Sequence, residues 1–357
     1  MRIFLFVEYY SHYLNDFYKK KSFADLPYDQ HLSYLIDDYF GSFGSYLKYF
    51  RGLGHEVELV IGNDFLLQNK WLKERGIKKG AGPANKKETV LLQVREFKPH
   101  VFFMSSMYEY YGTFLKEVAE TTPNIFTWIA ASYPKNLDFS HVRCVISSVE
   151  DFVARFRNLK VNSEVLKAAF DADIAARLDN KRTMDVSFVG GLSRRTHARR
   201  MDGLEYVLKS GIDLKTYGYG LKRQLIPFRP DPIHRSYGGA LWGMEMYRAL
   251  NHSRISLNFH IDFVKNWAGN MRLYEGTGCG TVLLTESAEG LDEMFDVGKE
   301  IVVYDSLNDL VEKITYYLAH EAEREAIAAA GQRACIERHG YDRRIVEFDA
   351  ILKKYST

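Results

Sequence analysis

The stretch GNMRLYEGTGCGTVLLTE, residues 269–286, decides the fold class. Its glycines and apolar positions predict a turn, a short helix over Met271–Gly278 and a buried strand over Val282–Thr285. One predicted strand precedes it at Ile255–Phe259, and another follows it at Glu300–Tyr304. Strands that alternate with helices favour a parallel sheet, because each helix returns the chain to the edge at which the next strand begins.

The same alternation of strands and helices runs through the rest of the chain. Apolar runs predict further strands at Ile3–Val7, Val57–Ile61, Val101–Met104, Ile125–Ile129, Val142–Ile146, Asp185–Val189 and Leu214–Tyr217. Helical patterns indicate helices near His31–Leu53 and at Lys87–Phe97, Thr196–Ser210, Trp242–Leu250, Ser306–Ala319, Glu321–His339 and Asp342–Tyr355. We therefore predict an α/β protein with two Rossmann-like, doubly wound domains and a polar hinge within Phe170–Thr183.

Composition and charge exclude several classes of protein. The 357 residues carry Lys+Arg 48 against Asp+Glu 46, so no charge excess is available to neutralise a nucleic-acid backbone. The three cysteines, Cys144, Cys279 and Cys335, lie far apart and indicate neither a disulfide framework nor a structural zinc site. No apolar run approaches the ~18 residues of an integral membrane segment, and Ile3–Val7 is too short for a signal sequence. We expect a cytoplasmic protein.

Aromatic residues are the unusual part of the composition, at 14% of the chain. Many of them lie in the predicted first domain, where tyrosines often stand beside charged residues, as in Tyr108-Glu109-Tyr110-Tyr111. Two interpretations are open: amphipathic packing at domain edges, or a cleft in which the rings stack on sugars. We favour packing.

The start of the helix within residues 269–286 is a candidate anion site. A helix that opens with Gly269, Asn270 and Met271 presents free backbone N–H groups, which suit a diphosphate. Arg272 can add a charge-assisted contact to the same oxygens, and Glu275 can accept hydrogen bonds from the vicinal hydroxyls of a ribose. The alternative is that the glycines serve helix packing and that Arg272 and Glu275 form a solvent-facing ion pair.

Several strings in the second half occur in the order of one known family. They are LNFHID (257–262), NMRLYEGTGCGTVLLTE (270–286), GLDEMFDVGKEIVVYDSLNDLVEKITYYL (290–318) and AAAGQRACIERHGYDRR (328–344), with DVSFVGGLSRRTHARR (185–200) and YGGALWGMEMYRALNHSRISLN (237–258) upstream. The sequence resembles the group-1-like glycosyltransferases that include the CgeB-like spore-maturation proteins. The resemblance covers essentially the whole second domain, and IFTWIAASYP (125–134) extends it more loosely into the first.

The resemblance implies a GT-B fold, with two Rossmann-like domains that face a cleft. It implies an acceptor domain at 1–172, a nucleotide-sugar donor domain at 173–340, and a C-terminal helix within 341–357 that returns to the first domain. It also implies that Glu275 holds the donor ribose and that the Gly190-Gly191 turn faces the donor phosphates. In the retaining branch of the family a second glutamate lies eight positions before Glu275; Trp267 stands there, so the stereochemical outcome stays open.

The strand ends of the second domain supply further donor-binding candidates. Arg195 and His197, which follow the glycine turn, are expected to reach the leaving diphosphate, while the neighbouring arginines form a solvated helix face. Asn258 and His260 follow the strand Ile255–Phe259 at its carboxyl end, where ligands bind, and are expected near the donor sugar. His260 is also a candidate catalytic residue. Tyr217 ends another strand and is expected to pack against the base.

An inverting transfer needs a general base near the acceptor hydroxyl. Glu8, His12 and Glu109 are the candidates at the predicted strand ends of the first domain, and each is alternatively a plain surface residue. Asp171-Ala172-Asp173 spells the metal–diphosphate signature of a different fold, and its position at the hinge favours coincidence.

The sequence thus predicts a metal-independent glycosyltransferase with a nucleotide-sugar co-substrate, no other cofactor, and a hydroxyl acceptor on a glycan or a protein. Two alternatives share the fold. One is a sugar-nucleotide epimerase, and the other is a non-catalytic scaffold or coat protein.

Overall fold

The computed structural model describes residues 1–20, 22–105, 107, 109–131, 133–134, 136–221, 231–260 and 268–357. They form two compact units. The first unit contains Met1–Lys167 and Arg344–Thr357, and the second contains Ala168–Arg343. Each unit is built around one parallel sheet.

The sheet of the first unit has the order β2-β1-β3-β4-β5-β6. Its strands are β1 (Arg2–Val7), β2 (Glu56–Ile61), β3 (Val101–Met104), β4 (Ile125–Trp128), β5 (Cys144–Ser147) and β6 (Ser163–Val165). The interior strands read as continuous apolar runs because helices cover both faces of a parallel sheet. All four residues of β3, for example, are buried.

Helices connect these strands. They are α1 (Ser11–Lys20), α2 (Tyr28–Asp37), α3 (Phe43–Gly52), α4 (Phe65–Glu74), α5 (Lys86–Phe97), α6 (Thr113–Ala119) and α7 (Glu150–Asn158). The single helical segment predicted near His31–Leu53 is two helices, α2 and α3. Tyr39 and Gly41 adopt left-handed φ values of 54° and 71° between them, and an α-helix cannot continue through that conformation.

The sheet of the second unit has the order β11-β10-β9-β7-β8. Its strands are β7 (Met184–Val189), β8 (Leu214–Tyr217), β9 (Ser253–Asn258), β10 (Val282–Glu286) and β11 (Val302–Tyr304). Its helices are α8 (Ala172–Ala175), α9 (Ala198–Lys209), α10 (Pro232–Ser236), α11 (Gly243–Asn251), α12 (Arg272–Gly278), α13 (Leu291–Met294), α14 (Leu307–Ala319) and α15 (Glu321–His339).

The two aspartates of the Asp171-Ala172-Asp173 string belong to the short helix α8. The Asp171 side chain is buried and accepts a hydrogen bond of 3.1 Å from the Asp173 backbone N–H, as a helix N-cap does. Asp171 thus has a capping role at the start of this helix.

The C-terminal helix α16 (Tyr341–Tyr355) contributes to the first unit from Arg344 onward. Phe348 is fully buried, with its ring 4.9 Å from that of Phe103 in β3 and 5.1 Å from that of Phe50 in α3. Asp349 accepts a 2.9 Å hydrogen bond from His55 Nε2. Residues from the two ends of the sequence therefore share one core.

Phe348→Ala should destabilise the first unit by about 3–5 kcal/mol, because it leaves a cavity beside the rings of Phe50, Phe103 and Tyr46, the last of which lies 5.2 Å from the Phe348 ring. Urea unfolding followed by circular dichroism, fitted with one transition for each unit, measures the change. Val346 lies on the same helix and is 55% exposed. Val346→Ala is thus the control, with an expected change within about 0.5 kcal/mol. Equal unfolding midpoints for the two variants would contradict this packing role.

Candidate functional site

Two backbone turns meet at the carboxyl ends of β7 and β8. The Gly190 N–H donates to the Tyr217 carbonyl at 2.9 Å, and the Leu192 N–H donates to the Tyr219 carbonyl at 2.8 Å. A Cβ on Gly218 would lie 1.7 Å from the Gly190 carbonyl oxygen. Residue 218 must therefore be glycine, and the two turns bond directly to each other through their backbones.

Basic side chains flank the Gly190-Gly191 turn. His197 precedes α9, and a Cβ on Gly191 would lie 3.0 Å from His197 Nε2, so the ring packs directly on the turn. Arg200, which the sequence placed on a solvated face, is buried and donates to the Gly191 carbonyl at 3.1 Å and the Phe259 carbonyl at 3.3 Å. Arg195 is exposed.

The remaining arginines of this segment do not all face the turn. Arg194 forms ion pairs with Asp202, at 2.6 Å, and with Glu205. Arg199 is largely exposed and lies 3.2 Å from Glu286. The prediction that only some of these cations lie beside the turn is compatible with this arrangement, but the buried member is Arg200.

Asn258 and Asn270 bond to each other at the carboxyl end of β9. Asn270 Nδ2 donates to Asn258 Oδ1 at 2.9 Å, and Asn258 Nδ2 donates to Thr285 Oγ1, also at 2.9 Å. Asn270 Nδ2 lies 3.5 Å from the Phe259 carbonyl, the same oxygen that Arg200 binds. This oxygen therefore joins the segment before α12 to the glycine turn.

His260 is held at the end of β9 by Glu286. The His260 N–H donates to Glu286 Oε2 at 2.7 Å, and His260 Nε2 lies 3.0 Å from the Glu286 carbonyl oxygen. A carbonyl only accepts, so Nε2 carries the proton and Nδ1 of the neutral ring is an acceptor. Burial lowers the pKa of His260, and the charges of Arg199 and Arg200 act in the same direction while Glu286 opposes it.

Arg272 and Glu275 form an ion pair of 3.0 Å between Nη1 and Oε2. Their side chains are only 14% and 11% exposed, so the pair is not the solvent-facing one that the sequence offered as an alternative. The helix α12 begins at Arg272, and Gly269, Asn270 and Met271 lead into it. The Arg272 guanidinium also lies 3.5 Å from the Met246 sulfur of α11.

Tyr217 does not direct its hydroxyl towards the turns. That hydroxyl lies 3.3 Å from the sulfur of Met184, the first residue of β7 and thus at the other end of the sheet. The Tyr237 hydroxyl donates to the Gly218 carbonyl at 2.8 Å, and Tyr219 stacks on Trp242 with a centroid distance of 5.6 Å. Trp242 was predicted only as the first residue of a helix.

In the first unit, Lys86 brings two of the three predicted base candidates together. Its Nζ lies 3.0 Å from Glu8 Oε1 and also bonds Glu109. The Tyr110 hydroxyl donates to the same Glu8 oxygen at 2.6 Å. His12 lies on the exposed start of α1. Lys86 and Tyr110 were not predicted as site residues, since the sequence around them does not distinguish them from ordinary surface residues.

This cluster shifts the pKa values of its members. Partial burial of Lys86 favours the neutral amine, but its hydrogen bonds to Glu109 and Glu8 outweigh that effect and raise the Lys86 pKa. The hydrogen bond from Lys86 lowers the pKa of Glu109. Glu109 is thus stabilised as the anion, which weakens it as a base.

The aromatic residues of the first unit pack mainly on each other. Tyr13 stacks on Phe40 at 3.8 Å, and Phe23 stacks on His31 at 4.8 Å. Tyr13, Phe23 and His31 are all buried. The packing interpretation accounts for these rings, while Tyr10 remains 56% exposed.

The chain is similar to known proteins in part of its sequence and in its fold. Residues 197–350 match a family model described as glycosyl transferase-like. Solved structures similar to the whole chain include a glycosyltransferase from Rickettsia africae ESF-5 (12% identity, 99% of this chain and 98% of that chain, TM-score 0.59), HepE from Anabaena in complex with UDP-glucose (12%, 98% and 99%, 0.60) and T4 phage BGT in complex with its UDP-glucose substrate (14%, 100% and 99%, 0.57).

The chain has the GT-B fold. This confirms the predicted fold class of two parallel-sheet α/β domains. No curated protein matches the chain. The likeness to the CgeB-like subfamily therefore stays a prediction, since the family model and the structural similarities support only the broader glycosyltransferase-like type.

Two kinds of feature are absent from the described residues: a membrane-spanning helix and a cluster of metal ligands. None of the helices placed there combines the length and the apolar character that crossing a membrane requires. In the same part of the chain, no group of three or more His, Cys, Asp or Glu side chains is arranged to hold a metal ion.

The His260 contacts give a pH prediction. The imidazole should titrate below its ordinary pKa of 6.5, and Glu286→Gln should lower the pKa further, because it removes a carboxylate charge that favours the protonated ring. Nuclear magnetic resonance of ¹³C-labelled histidine, assigned with His260→Gln, measures both values. Glu293→Gln, at an exposed position, is the control and should leave the titration unchanged. A higher pKa in Glu286→Gln would contradict the assignment.

Proposed function

We propose that the chain is a nucleotide-sugar-dependent glycosyltransferase that moves a sugar to a hydroxyl of a glycan or protein acceptor without a metal ion. One observation carries the proposal: Arg200 and Asn270 both reach the Phe259 carbonyl, and Arg200 also bonds Gly191. The glycine turn and the segment before α12 are thus joined at this carbonyl. Support also comes from the GT-B fold and from the family model that matches residues 197–350.

The donor diphosphate is proposed to lie against Gly190 and Gly191. The Gly190 N–H is already bonded to the Tyr217 carbonyl, so the Gly191 N–H is the donor that this turn is proposed to offer to a phosphate oxygen, and the flanking cations favour the negative charge. Arg200 is fixed beside this turn, with His197 packed on it, and Arg195 is exposed nearby. The backbone of 269–271 is proposed to face the same phosphates.

When the donor binds, Arg272 and Glu275 are proposed to give up their ion pair, so that Arg272 contacts the diphosphate and Glu275 contacts the ribose. A guanidinium matches the charge and geometry of a diphosphate, and a carboxylate accepts hydrogen bonds from the two hydroxyls of a ribose. In the absence of the donor the two charges neutralise each other at 3.0 Å. The donor nucleotide offers a partner to both groups, so neither charge is left buried alone.

Asn258 and His260 are proposed to contact the donor sugar. Both lie at the carboxyl end of β9, and their hydrogen bonds to Thr285 and Glu286 fix their orientation. Nδ1 of the neutral His260 ring is proposed to accept a hydrogen bond from a hydroxyl of the donor sugar, because the other ring nitrogen donates to the Glu286 carbonyl.

On the acceptor side, Glu8 is the carboxylate that the contacts favour. Lys86 and Tyr110 both bond its Oε1, and among the described residues no group bonds its Oε2. Glu109 is 60% exposed, and its ion pair with Lys86 lowers its pKa. We therefore propose that Glu8 Oε2 accepts the proton of the acceptor hydroxyl, and that Glu109 balances the charge of Lys86.

Nucleotide binding without magnesium is the first expected outcome. In a thermal-shift panel of UDP, GDP, CMP, ADP and dTDP, one nucleotide at 100 times its Kd should stabilise the protein by about 2.7 kcal/mol. The same ligand should bind Glu275→Ala more weakly by about 1–3 kcal/mol, because ribose hydroxyls lose their acceptor. Glu293→Ala, at an exposed position, is the matched control.

Other results of that panel would identify other functions. If magnesium were required for the shift, the metal-independent proposal would be wrong. If no nucleotide shifted the protein, a non-catalytic scaffold would become the better interpretation. Interconversion of a nucleotide sugar without transfer would indicate an epimerase.

Glu8→Gln should lower transfer by about 100-fold or more, the usual range for losing a proton acceptor, while nucleotide affinity stays unchanged. Nucleotide release from the sugar nucleotide, with a mixture of p-nitrophenyl glycosides as acceptors, measures the rate. Glu109→Gln is the matched control, since it removes the other carboxylate on Lys86. Equal rates for the two variants would remove Glu8 from the reaction.

A further inference from the structure

An aromatic pair at the edge of the second unit has no part in the interactions assigned so far. The rings of Tyr219 and Trp242 stack at 5.6 Å with an interplanar angle of 24°. Tyr219 nevertheless remains 40% exposed. Most large aromatic residues of this unit, such as Tyr274 and Phe259, are buried in its core, so packing alone does not account for an exposed stack.

Tyr219 is fixed to the glycine turn through the backbone. Its carbonyl accepts from the Leu192 N–H at 2.8 Å, immediately after Gly190 and Gly191. A Cβ on the following residue, Gly220, would lie 3.3 Å from Ser193 Cβ. The ring of Tyr219 is thus attached to the same surface that the proposed diphosphate covers.

Trp242 is fixed to the other part of the site through α11. It is the N-cap of that helix, and its carbonyl accepts from the Met246 N–H at 3.3 Å. Positions i and i+4 lie on one face of a helix, about 6 Å apart along its axis. The Met246 sulfur touches the Arg272 guanidinium, which pairs with Glu275. Trp242 is therefore connected, through one turn of α11, to a residue that touches Arg272.

We propose that Tyr219 and Trp242 form the stacking platform for the base of the donor nucleotide. This inference rests on the proposed function. A nucleoside diphosphate carries its base and its phosphates on opposite sides of the ribose. The pair is joined to the turn proposed for the phosphates through the Tyr219 backbone, and to the Arg272–Glu275 pair proposed for the nucleotide through α11. An aromatic ring attracts every nucleobase through its π-face, so the pair contributes affinity for the base and little discrimination between bases.

The test uses the full chain and the nucleotide of the five-member panel that binds most tightly. Tyr219→Leu and Trp242→Leu keep an apolar side chain but remove the ring, and each should raise the Kd about tenfold. Tyr219→Phe keeps the ring and should stay within about twofold of the unmodified protein. Tyr206 is another exposed tyrosine of this unit, bonded to Asn308, and Tyr206→Leu is the matched control.

Inorganic pyrophosphate separates a base platform from a support for the turn. It has no base, so its inhibition constant against the nucleotide should be equal in Tyr219→Leu and the unmodified protein. Equal losses for pyrophosphate and nucleotide would overturn the inference, and so would an unchanged nucleotide Kd in both leucine variants. If the unmodified protein bound none of the nucleotides, the proposed function would fail together with this inference.

Discussion

The close contact between the turns at Gly190 and Gly218 is the constraint on which the second unit's site depends. Val189 and Tyr217 are paired at the ends of two neighbouring parallel strands, so the chain must leave both strands within the same small space. A side chain at residue 218 would overlap the Gly190 carbonyl. Because this position is glycine, the two turns can bond to each other through their backbones. The helix α9 begins soon after the first turn, and α11 lies further along the chain after the second.

The Arg272–Glu275 pair illustrates why buried charges point to a ligand. Removing two ions from water costs free energy that their attraction only approximately offsets, so a buried pair is weak evidence for added stability. Exposed pairs such as Arg75–Glu96 carry less of this cost, since water still reaches both groups. Arg272 Nε is also buried without a hydrogen-bond partner among the described residues. The diphosphate of the proposed donor would supply an acceptor for this nitrogen.

The sequence predicted the strands well because buried parallel strands are short apolar runs between polar segments. β3 and β8 were predicted with their observed bounds, Val101–Met104 and Leu214–Tyr217. Short or partly polar elements such as β6 and α8 were missed, since Ser163–Val165 offers too few residues for a periodic pattern. The GT-B fold followed from the order of the elements and from the family resemblance together.

The direction of a side chain at a strand end was beyond the sequence. Tyr217 and Tyr219 flank a glycine, and both were compatible with a ring that faces the site. The first reaches back to Met184, and the second stacks on Trp242, which a helix that starts much later in the chain brings into position. The alternation of a strand no longer applies once Gly218 adopts a φ of 152°. Only the tertiary structure decides which tyrosine is available.

The contacts of Lys86 were hidden for a similar reason, since Glu8 lies 78 residues away from it. Parallel strands bring such residues together because their carboxyl ends share one edge, and the same logic operates in both units. The chemistry at the two edges nevertheless differs. The second unit offers backbone N–H groups and a buried arginine, which suit an anionic diphosphate. The first unit offers a carboxylate fixed through one oxygen by Lys86 and Tyr110, which suits a neutral hydroxyl that must give up a proton. This difference is the reason why the proposed function assigns the donor diphosphate to the second unit and the acceptor hydroxyl to the first.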